Sequence, residues 1–323
     1  MKLKFIDLFC GIGGFRQALE KQGHQCVFSS DWDPHAQWVY QKNYGETPFG
    51  DLNELRDEDA PIHDLLCGGF PCQPFSISGN QLGFEDDRGT LLHEVLRIAR
   101  ARRPAVLFLE NVRNYLSHDR GRTHATTLNL LDRAGYCVFH EILNSSGFGV
   151  PQKRERLFFV CFRKELQVNE FSFPEPSWTD VALEDILLPQ GDPRLDDLII
   201  ERDDLTIKSE LPVERANRPL RIGTVGKGGQ GERVYSVKGH AITLSAFGGG
   251  VGAKTGMYLV GDRVRRLHPC ECLRLMGFPD RFTLHQKLNV CYKQFGNSVV
   301  VPVVTAITEE IERVLSVSET KVS

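Results

Sequence analysis

The fold is decided near the start of the chain, by Asp7-Leu8-Phe9-Cys10-Gly11-Ile12-Gly13-Gly14-Phe15. Residues 4–9 form a short apolar run, and Phe15, Ala18 and Leu19 then recur at helical spacing until Gly23. A strand, a glycine-rich turn and a helix in this order begin an α/β sheet, and such sheets bind ligands at the carboxyl ends of their strands. The glycines let a ligand approach the main chain closely.

Five further apolar runs repeat this alternation of strand and helix. They cover residues 26–30, 65–68, 105–110, 136–143 and 157–162. A helical pattern that begins near Leu91 is ended by Pro104. The alternation predicts an α/β fold with a parallel sheet flanked by helices. Apolar residues recur at helical spacing from Val300 to Leu315, which predicts that a C-terminal helix packs on the same domain.

The sequence changes in character after Phe173. Prolines become frequent, and glycines cluster at residues 223–231 and again at 248–256. The residues between these clusters, 233–247, resemble a strand. These features predict a second, smaller and mostly β domain at about residues 185–270.

The composition is that of an ordinary globular chain. Of its 323 residues, 41% are apolar and 25% are charged, which excludes general disorder. No apolar run reaches the roughly 20 residues that cross a bilayer, and the acid at position 7 interrupts any signal-peptide core. We therefore expect a soluble, cytoplasmic protein with no membrane partner. Nine cysteines without a CxxC pair favour reduced thiols and predict no metal site.

Because its net charge is −3, the whole chain does not attract a polyanion by charge alone. A nucleic-acid surface therefore has to come from a local cluster of basic residues. Residues 208–240 provide such a cluster, since they hold seven basic and three acidic side chains, a net of 7 − 3 = +4. The basic residues are Lys208, Arg215, Arg218, Arg221, Lys227, Arg233 and Lys238. A solvated surface explains these charges alone, but it does not explain the glycine-rich loops beside them.

The end of the second strand indicates which ligand the glycine turn holds. Asp31 is placed to accept hydrogen bonds from ribose hydroxyls, and Trp32 can stack on an adenine. Arg16 occupies the position of the third glycine of a dinucleotide fingerprint, which argues against a dehydrogenase. The pattern suits an adenosyl ligand without a pyrophosphate, and S-adenosylmethionine fits it. A tight turn without any ligand is the alternative.

Reactive side chains follow three other strands. Cys72 lies between two prolines past the end of the third strand, where an exposed thiolate can act as a nucleophile. Glu110 ends the fourth apolar run and is a candidate general acid, or alternatively an acid that anchors a loop. Arg154 and Arg156 precede the sixth run on one face, where they can reach an anion or a carbonyl unless they are simply solvated. Residues 76–90 have the composition of a mobile lid.

Together these segments resemble the DNA cytosine-5 methyltransferases. The motifs DLFCGIGGF, GGFPCQPFSISG, ENV, QKRER and QFGNSVV occur in that family's order, and RIGTVGKGGQGERVYS and AITLSAFGGG resemble the recognition region of a GCGC-specific bacterial member. The resemblance implies a Rossmann-like, S-adenosylmethionine-dependent methyltransferase sheet domain with a smaller, mostly β target-recognition domain. It assigns residues 1–184 and 290–323 to catalysis and cofactor binding, and residues 185–289 to target recognition and a hinge.

The resemblance also implies the chemistry. A flipped-out cytosine of duplex DNA, within GCGC, is methylated at C5 as the modification step of a restriction system. Cys72 attacks C6 of the ring, Glu110 donates a proton to N3, Arg156 binds O2, and Arg154 supports the site or contacts a phosphate. The cofactor-binding positions are Phe9, Gly11, Gly13, Asp31, Trp32, Asp51, Leu52, Pro71, Leu91, Asn297, Ser298 and Val299. The DNA-binding positions are Ser76, Ser78, Gln81, Gln230, Arg233, Thr243, Phe247, Gly249 and Gly250.

Three positions depart from the family pattern: Asp31 is one methylene shorter than glutamate, Phe247 lacks a phenol hydroxyl, and Cys270 replaces an arginine. A tRNA cytosine methyltransferase on the same fold is one alternative, and a catalytically silent DNA-binding module is another. The presence of Cys72, Glu110 and Arg156 argues against the silent module. We expect a monomer, because one flipped base needs one active site, and a cognate endonuclease that is not bound to it.

Overall fold

The computed structural model describes residues 1–70 and 91–322, with side chains as far as residue 317. The chain forms two compact units. The first unit comprises Met1–Leu143, Arg156–Pro174 and Val304–Ser323, and the second comprises Asn144–Glu155 and Glu175–Val303. The assignment of residues 1–184 and 290–323 to catalysis and of residues 185–289 to target recognition stays a prediction.

The first unit contains a sheet with six described strands. These are β1 (Lys4–Leu8), β2 (Gln25–Ser30), β3 (Leu65–Gly69), β4 (Val106–Val112), β5 (Tyr136–Asn144) and β6 (Glu155–Arg163). Their order is β2-β1-β3-β4-β6-β5. Strand β1 pairs in parallel with β2 and β3, and β3 pairs in parallel with β4. The carboxyl ends of these four strands therefore meet at one edge of the sheet.

The prediction of a wholly parallel sheet was wrong at β6, which pairs antiparallel with β4. A parallel return requires a crossover of a dozen or more residues, usually a helix. Residues 145–154, which join β5 to β6, hold only a short 3₁₀ turn. The chain consequently reverses its direction, and the start of β6 lies beside the end of β4.

Five helices accompany this sheet among the described residues. They are α1 (Gly14–Lys21), α2 (Pro34–Tyr44), α3 (Leu91–Arg102), α4 (Arg122–Arg133) and the long C-terminal helix, numbered α7 below (Val301–Val322). The C-terminal helix is anchored by Gln22, whose amide donates to the carbonyl of Thr305 at 3.0 Å, and by a 3.5 Å contact between His24 and Glu312. Most of its apolar positions, including Val304, Ile307 and Ile311, are buried, so the predicted docking of this helix is confirmed.

The second unit is built on a smaller sheet. Its described strands are β7 (Thr206–Ile207), β8 (Leu220–Thr224), β9 (Arg233–Ser236), β10 (Met257–Val260) and β11 (Arg263–Arg265), in the order β11-β10-β9-β8-β7. Two further helices, α5 (Pro269–Leu275) and α6 (Leu288–Asn297), follow these strands in sequence. A small apolar core, which includes Ile222, Val234 and Met257, supports the sheet.

The prediction of a continuous strand over residues 233–247 was also wrong. Strand β9 ends at Ser236, and the chain turns through Gly239 before it runs beside residues 151–154. Alternating apolar residues predict a strand because each second one is buried, and Ala241 and Leu244 are indeed buried here. They are buried in a loop whose main chain is hydrogen-bonded to residues 151–153, and not in a strand of the sheet.

Candidate functional site

The turn after β1 leaves space beside its main chain. Phe9, Gly11 and Gly13 all have positive φ angles, of 54°, 54° and 83°. A side chain at Gly13 would come within 2.5 Å of the ring of Tyr44, whose hydroxyl donates to the Gly13 carbonyl at 2.9 Å. At Gly11, by contrast, a Cβ would meet no atom of the described residues within 4 Å. One glycine therefore fits against the protein, and the other faces open space in which a ligand fits.

Asp31 holds this turn in place. Its Oδ2 accepts the main-chain N–H of Gly11 at 2.8 Å, and its Oδ1 accepts the N–H of Asp33 at 2.9 Å. Beside it, the indole of Trp32 is 79% exposed, so its face is free to stack on a flat ring. The structure thus brings together the turn, the carboxylate and the indole that the sequence singles out.

Asp51 and Leu52 lie close to the end of β2, because Phe49 pairs with Ser30 in a parallel bridge. The Asp51 Oδ1 accepts the main-chain N–H of Asn53 at 3.0 Å and its side-chain amide at 2.7 Å. Leu52 is buried, and its carbonyl accepts the guanidinium of Arg97 at 2.9 Å. That arginine belongs to α3, which begins at the half-buried Leu91.

Glu110 and Arg156 form an ion pair at the carboxyl end of β4. The Arg156 Nε lies 3.0 Å from Glu110 Oε1, and both side chains are largely buried. In the antiparallel register Arg156 is paired with Val112, so Glu110 is its diagonal neighbour on the same face. A Cβ at Gly69 would lie 3.3 Å from Glu110 Oε2, which explains the need for a small residue there. The reversed direction of β6 is what delivers Arg156 to this acid.

Asn111 connects this pair to the end of β3. Its buried side-chain amide donates to the carbonyl of Phe70 at 2.9 Å, and its Oδ1 accepts the N–H of Val112 at 2.8 Å. Phe70 is the last described residue before the segment that carries the predicted nucleophile. Pro71, Cys72, Ser76, Ser78 and Gln81 lie outside the described residues. Sequence reasoning missed Asn111, although a polar residue beside Glu110 in an otherwise buried strand was a usable signal.

The hydrogen bonds of Arg154 differ from the ion pair of Arg156. Its guanidinium is buried and donates to the carbonyls of Leu244 at 2.9 Å and of Gly296 and Ser298 at 2.8 Å, all within the second unit. Arg154 lies just before β6, which begins at Glu155, and the predicted common face of the two arginines stays a prediction. A phosphate contact requires exposure that Arg154 lacks, whereas a supporting role agrees with these bonds.

The remaining predicted cofactor positions, Asn297, Ser298 and Val299, lie at the end of α6 in the second unit. Asn297 is exposed, whereas Ser298 and Val299 are buried. The carbonyl of Ser298 accepts a hydrogen bond from the guanidinium of Arg154, and the Ser298 hydroxyl donates one to the carbonyl of Val299 at 3.2 Å.

The predicted DNA-binding residues of the second unit lie on two loops that contact each other. Gly249 and Gly250 pack on Gly231, at which a Cβ would lie 2.0 Å from the Gly249 carbonyl oxygen. Gln230 is exposed beside that contact, and Arg233, which begins β9, has a buried Nε with no hydrogen-bond partner among the described residues.

Two other predicted DNA contacts belong to the loop that follows β9. Thr243 donates its hydroxyl to the carbonyl of Lys153 at 2.7 Å, so this oxygen serves the protein's own main chain. Phe247 is 78% exposed. Its exposed ring lies three residues from Gly250, on the same glycine-rich loop.

The basic cluster at residues 208–240 is less positive than its sequence indicates. Arg215 forms ion pairs with Glu184 and Asp185, and Lys238 forms one with Glu184. Acids outside the counted range therefore neutralise two of the seven basic side chains, and the remaining five, among them Arg233, face the three acids of the range, a net of 5 − 3 = +2.

Asp7, on β1, is fully buried, and neither of its oxygens makes a hydrogen bond of normal geometry within the described chain. Burial raises its pKa to about 8, although the charge and main-chain N–H of Arg16 lower it. The pKa of Asp7 is higher in the folded state than in the unfolded state, so the protonated carboxyl stabilises the fold fully below about pH 4. This contribution to stability is lost as the pH rises towards 8. Sequence reasoning missed this acid, since a strand residue before a glycine turn gives no sign of its burial.

We expect Asp7→Asn to become more stable relative to the wild type as the pH rises. The amide cannot ionise, so the difference in melting temperature should grow by several degrees between about pH 5 and pH 9. Differential scanning calorimetry at several pH values measures it. The matched control is Asp132→Asn, an exposed acid paired with Lys164. A difference that does not change with pH would show that Asp7 has no raised pKa.

The described residues contain no cluster of histidine, cysteine and acidic side chains suited to a metal ion. Among their helices, none has the length and apolar character needed to span a membrane.

The open glycine turn after β1 and the acid–arginine pair at the end of β4 lie at the same edge of the sheet, an arrangement that fits an α/β methyltransferase. A family model described as C-5 cytosine-specific DNA methylase matches residues 3–313. The type II methyltransferase M.HhaI of Haemophilus parahaemolyticus is 49% identical over 309 residues, which is 96% of this chain and 94% of that protein. M.HaeII of Haemophilus aegyptius is 39% identical over 322 residues, which is 99% and 96% of the two chains.

The fold agrees with these relatives. The crystal structure of S. pombe Dnmt2 methyltransferase superposes with a TM-score of 0.73 at 20% identity and covers 98% of this chain and 99% of that one. The chain belongs to the C-5 cytosine-specific DNA methylase family, and it is a DNA cytosine-5 methyltransferase. The α/β methyltransferase fold predicted from the sequence is confirmed.

Proposed function

We propose that this enzyme transfers a methyl group from S-adenosylmethionine to C5 of a flipped-out cytosine within GCGC, as the modification methyltransferase of a restriction system. The observation that carries the proposal is the buried Glu110–Arg156 pair, which lies next to the Asn111 bond to Phe70. This arrangement puts an acid and a cation beside the strand end from which the Cys72 segment departs. The 49% identity to M.HhaI supports the type of reaction and the choice of GCGC.

The glycine turn fits the proposed cofactor. Open space at Gly11, a carboxylate at Asp31 and an exposed indole at Trp32 match a main-chain cradle, a hydroxyl acceptor and a stacking surface for an adenosine. The other proposed cofactor positions are Phe9, Gly13, Asp51, Leu52, Pro71 and Leu91 in the first unit, and Asn297, Ser298 and Val299 in the second. S-adenosylmethionine supplies an electrophilic methyl group when it is bound.

The chain's own residues activate the cytosine, because C5 of the neutral ring is a poor nucleophile. In the proposed reaction the Cys72 thiolate forms a bond to C6 while Glu110 donates a proton to N3, so that no net negative charge builds up on the ring. Arg156 orients Glu110 and binds O2. Once C5 carries the methyl group, a base removes the C5 proton, N3 returns its proton to Glu110, and the C6–sulfur bond breaks to release the Cys72 thiolate.

A base inside a duplex is inaccessible to this attack, so it must leave the stack at a cost of about a few kcal/mol. We propose that the predicted lid, residues 76–90, contacts the DNA from one side through Ser76, Ser78 and Gln81. Gln230 fills the space that the flipped base leaves. Phe247, Gly249 and Gly250 supply an exposed ring and main-chain groups near base edges. The enzyme acts as a monomer, with no bound endonuclease.

Arg233 is the proposed guanine reader, since a guanidinium bonds O6 and N7 of guanine together. Its side chain is half-buried at the start of β9, close in sequence to the exposed Gln230. We expect Arg233→Ala to lose about 1–3 kcal/mol of affinity for a GCGC duplex in equilibrium titrations. The matched control is Arg202→Ala, an arginine paired with Asp204. An equal loss on unrelated DNA would identify Arg233 as a phosphate contact instead.

Base-resolution mapping of 5-methylcytosine tests the proposed function. Unmethylated duplex DNA of mixed sequence is incubated with the enzyme and S-adenosylmethionine, and we expect marks at the inner cytosine of GCGC. Marks at another short motif would overturn the recognition sequence but not the reaction. Duplex binding without any mark would favour the silent module.

A further inference from the structure

We propose that Arg154 is a positioning residue that couples DNA recognition to cofactor binding. The inference rests on the proposed function, because it takes residues 243–250 as a DNA-binding loop and residues 297–299 as a cofactor segment. Arg154 contacts neither ligand in this proposal. It acts by fixing the main chain of both segments relative to each other within the second unit.

The contacts of Arg154 define the coupling. Its guanidinium, only 2% exposed, donates to the Leu244 carbonyl on one side and to the Gly296 and Ser298 carbonyls on the other. A planar guanidinium holds its donors in a fixed fork, so the three carbonyl oxygens have to keep one arrangement. A buried cation that loses such a partner is costly, which gives both segments a strong preference for that arrangement.

A second contact, independent of Arg154, joins the same two segments. A Cβ at Gly296 would lie 2.0 Å from the main-chain nitrogen of Ala246 and 2.5 Å from its Cα. The end of α6 therefore touches the recognition loop directly, main chain against main chain. At this contact Gly296 has no side chain that could absorb a shift of either segment.

The recognition loop is also tied to the residues that carry Arg154. Lys153 donates its N–H to the carbonyl of Ala241 at 2.9 Å, and its own carbonyl accepts the Thr243 hydroxyl at 2.7 Å. The buried Gln152 accepts the N–H of Leu244 at 3.2 Å. The loop and its support therefore move together, and Arg154 extends this unit to α6.

Each of the two coupled segments also has an exposed residue that a ligand can reach. Phe247 extends into solvent three residues beyond Leu244, and Asn297 is exposed between the two carbonyls of α6 that Arg154 binds. A ligand that fixes one segment therefore lowers the cost of fixing the other. By thermodynamic linkage, DNA and cofactor strengthen each other's binding by the same factor, typically about 5–150-fold.

Arg154→Lys tests this coupling. Isothermal titration calorimetry gives the dissociation constant of S-adenosylhomocysteine, the demethylated cofactor, with and without a saturating GCGC duplex. We expect the duplex to tighten binding about 5–150-fold in the wild type and less than about two-fold in Arg154→Lys, since an ammonium lacks the planar fork. The matched control is Arg274→Lys, which loses a 3.0 Å bond to the Ile186 carbonyl in the same unit. It should keep the wild-type ratio.

The outcomes separate this proposal from the function on which it rests. If Arg154 had a merely structural role, Arg154→Lys would raise the dissociation constant of S-adenosylhomocysteine equally with and without the duplex. The ratio of the two constants would then be unchanged, and that result would overturn the coupling. A wild-type ratio near one would also overturn it. Failure of the wild type to bind S-adenosylhomocysteine at all would instead contradict the proposed function.

Hydrogen exchange gives a second test that needs no substitution, in case Arg154→Lys does not fold. In the wild type, S-adenosylhomocysteine should slow exchange of the main-chain amides at residues 244–246, which includes the Ser245 N–H bonded to the Lys254 carbonyl at 2.9 Å. Unchanged exchange in this loop on cofactor binding would overturn the proposal.

Discussion

Replacement of Glu110 by glutamine should lower the methylation rate by about 10²–10⁴-fold, the usual contribution of a positioned general acid. An amide keeps the size of the side chain and a hydrogen-bond donor, but it cannot transfer a proton to N3 of the ring. The variant would also lose the negative charge that faces Arg156 across the 3.0 Å contact. Single-turnover kinetics with a saturating GCGC duplex measures the chemical step, and duplex affinity should change by no more than a few-fold.

The matched control for this variant is Glu165→Gln. Glu165 also forms ion pairs with arginines, Arg103 and Arg163, but it is exposed and follows the far end of β6. Its replacement should leave the rate unchanged. If Glu110→Gln kept the wild-type rate and lowered only the melting temperature, Glu110 would be a loop anchor and not the acid.

The second large effect is expected on stability, from Glu271→Ala. The Glu271 carboxylate is fully buried and receives the guanidinium of Arg265 at 2.7 and 2.8 Å, together with the N–H groups of Leu188 and His268. Removal of one partner leaves an uncompensated buried cation and two unsatisfied N–H groups, which costs about 3–5 kcal/mol. We expect a large fall in the melting temperature, measured by calorimetry and by near-ultraviolet circular dichroism.

Glu310→Ala is the control for this prediction. Glu310 pairs with Arg313 on an exposed turn of α7, where such pairs contribute about 0–1 kcal/mol. If the two variants melted at the same temperature, the buried network around Glu271 would not stabilise the second unit.

Much of the fold could be predicted from the sequence, because buried strands in α/β proteins are nearly continuous apolar runs. Each of the six strands of the first sheet lies within two residues of its predicted limits at both ends. The glycine turn, Asp31 and Trp32 were also found by their order along the chain. An apolar run carries no direction, however, and the reversed β6 followed only from the short link before it.

The parts that the sequence could not predict depend on distant partners. Arg154 belongs to a charged run that looks solvated, and its burial becomes visible only with the carbonyls of Leu244, Gly296 and Ser298. Likewise, the positive charge counted at residues 208–240 is reduced by Glu184, which lies outside that range. The assignment of Cys72, which lies outside the described residues, stays a prediction that rests on the family resemblance.

Covalent trapping tests the central claim most directly. A GCGC duplex with 5-fluorocytosine at the inner position is incubated with the enzyme and S-adenosylmethionine. Fluorine cannot leave as the C5 proton does, so the bond between Cys72 and C6 should persist as an adduct that resists denaturation and maps to the peptide containing Cys72. An adduct at another residue would contradict the assigned nucleophile. Methylation of the unmodified duplex without any adduct on the fluorinated one would contradict the covalent mechanism.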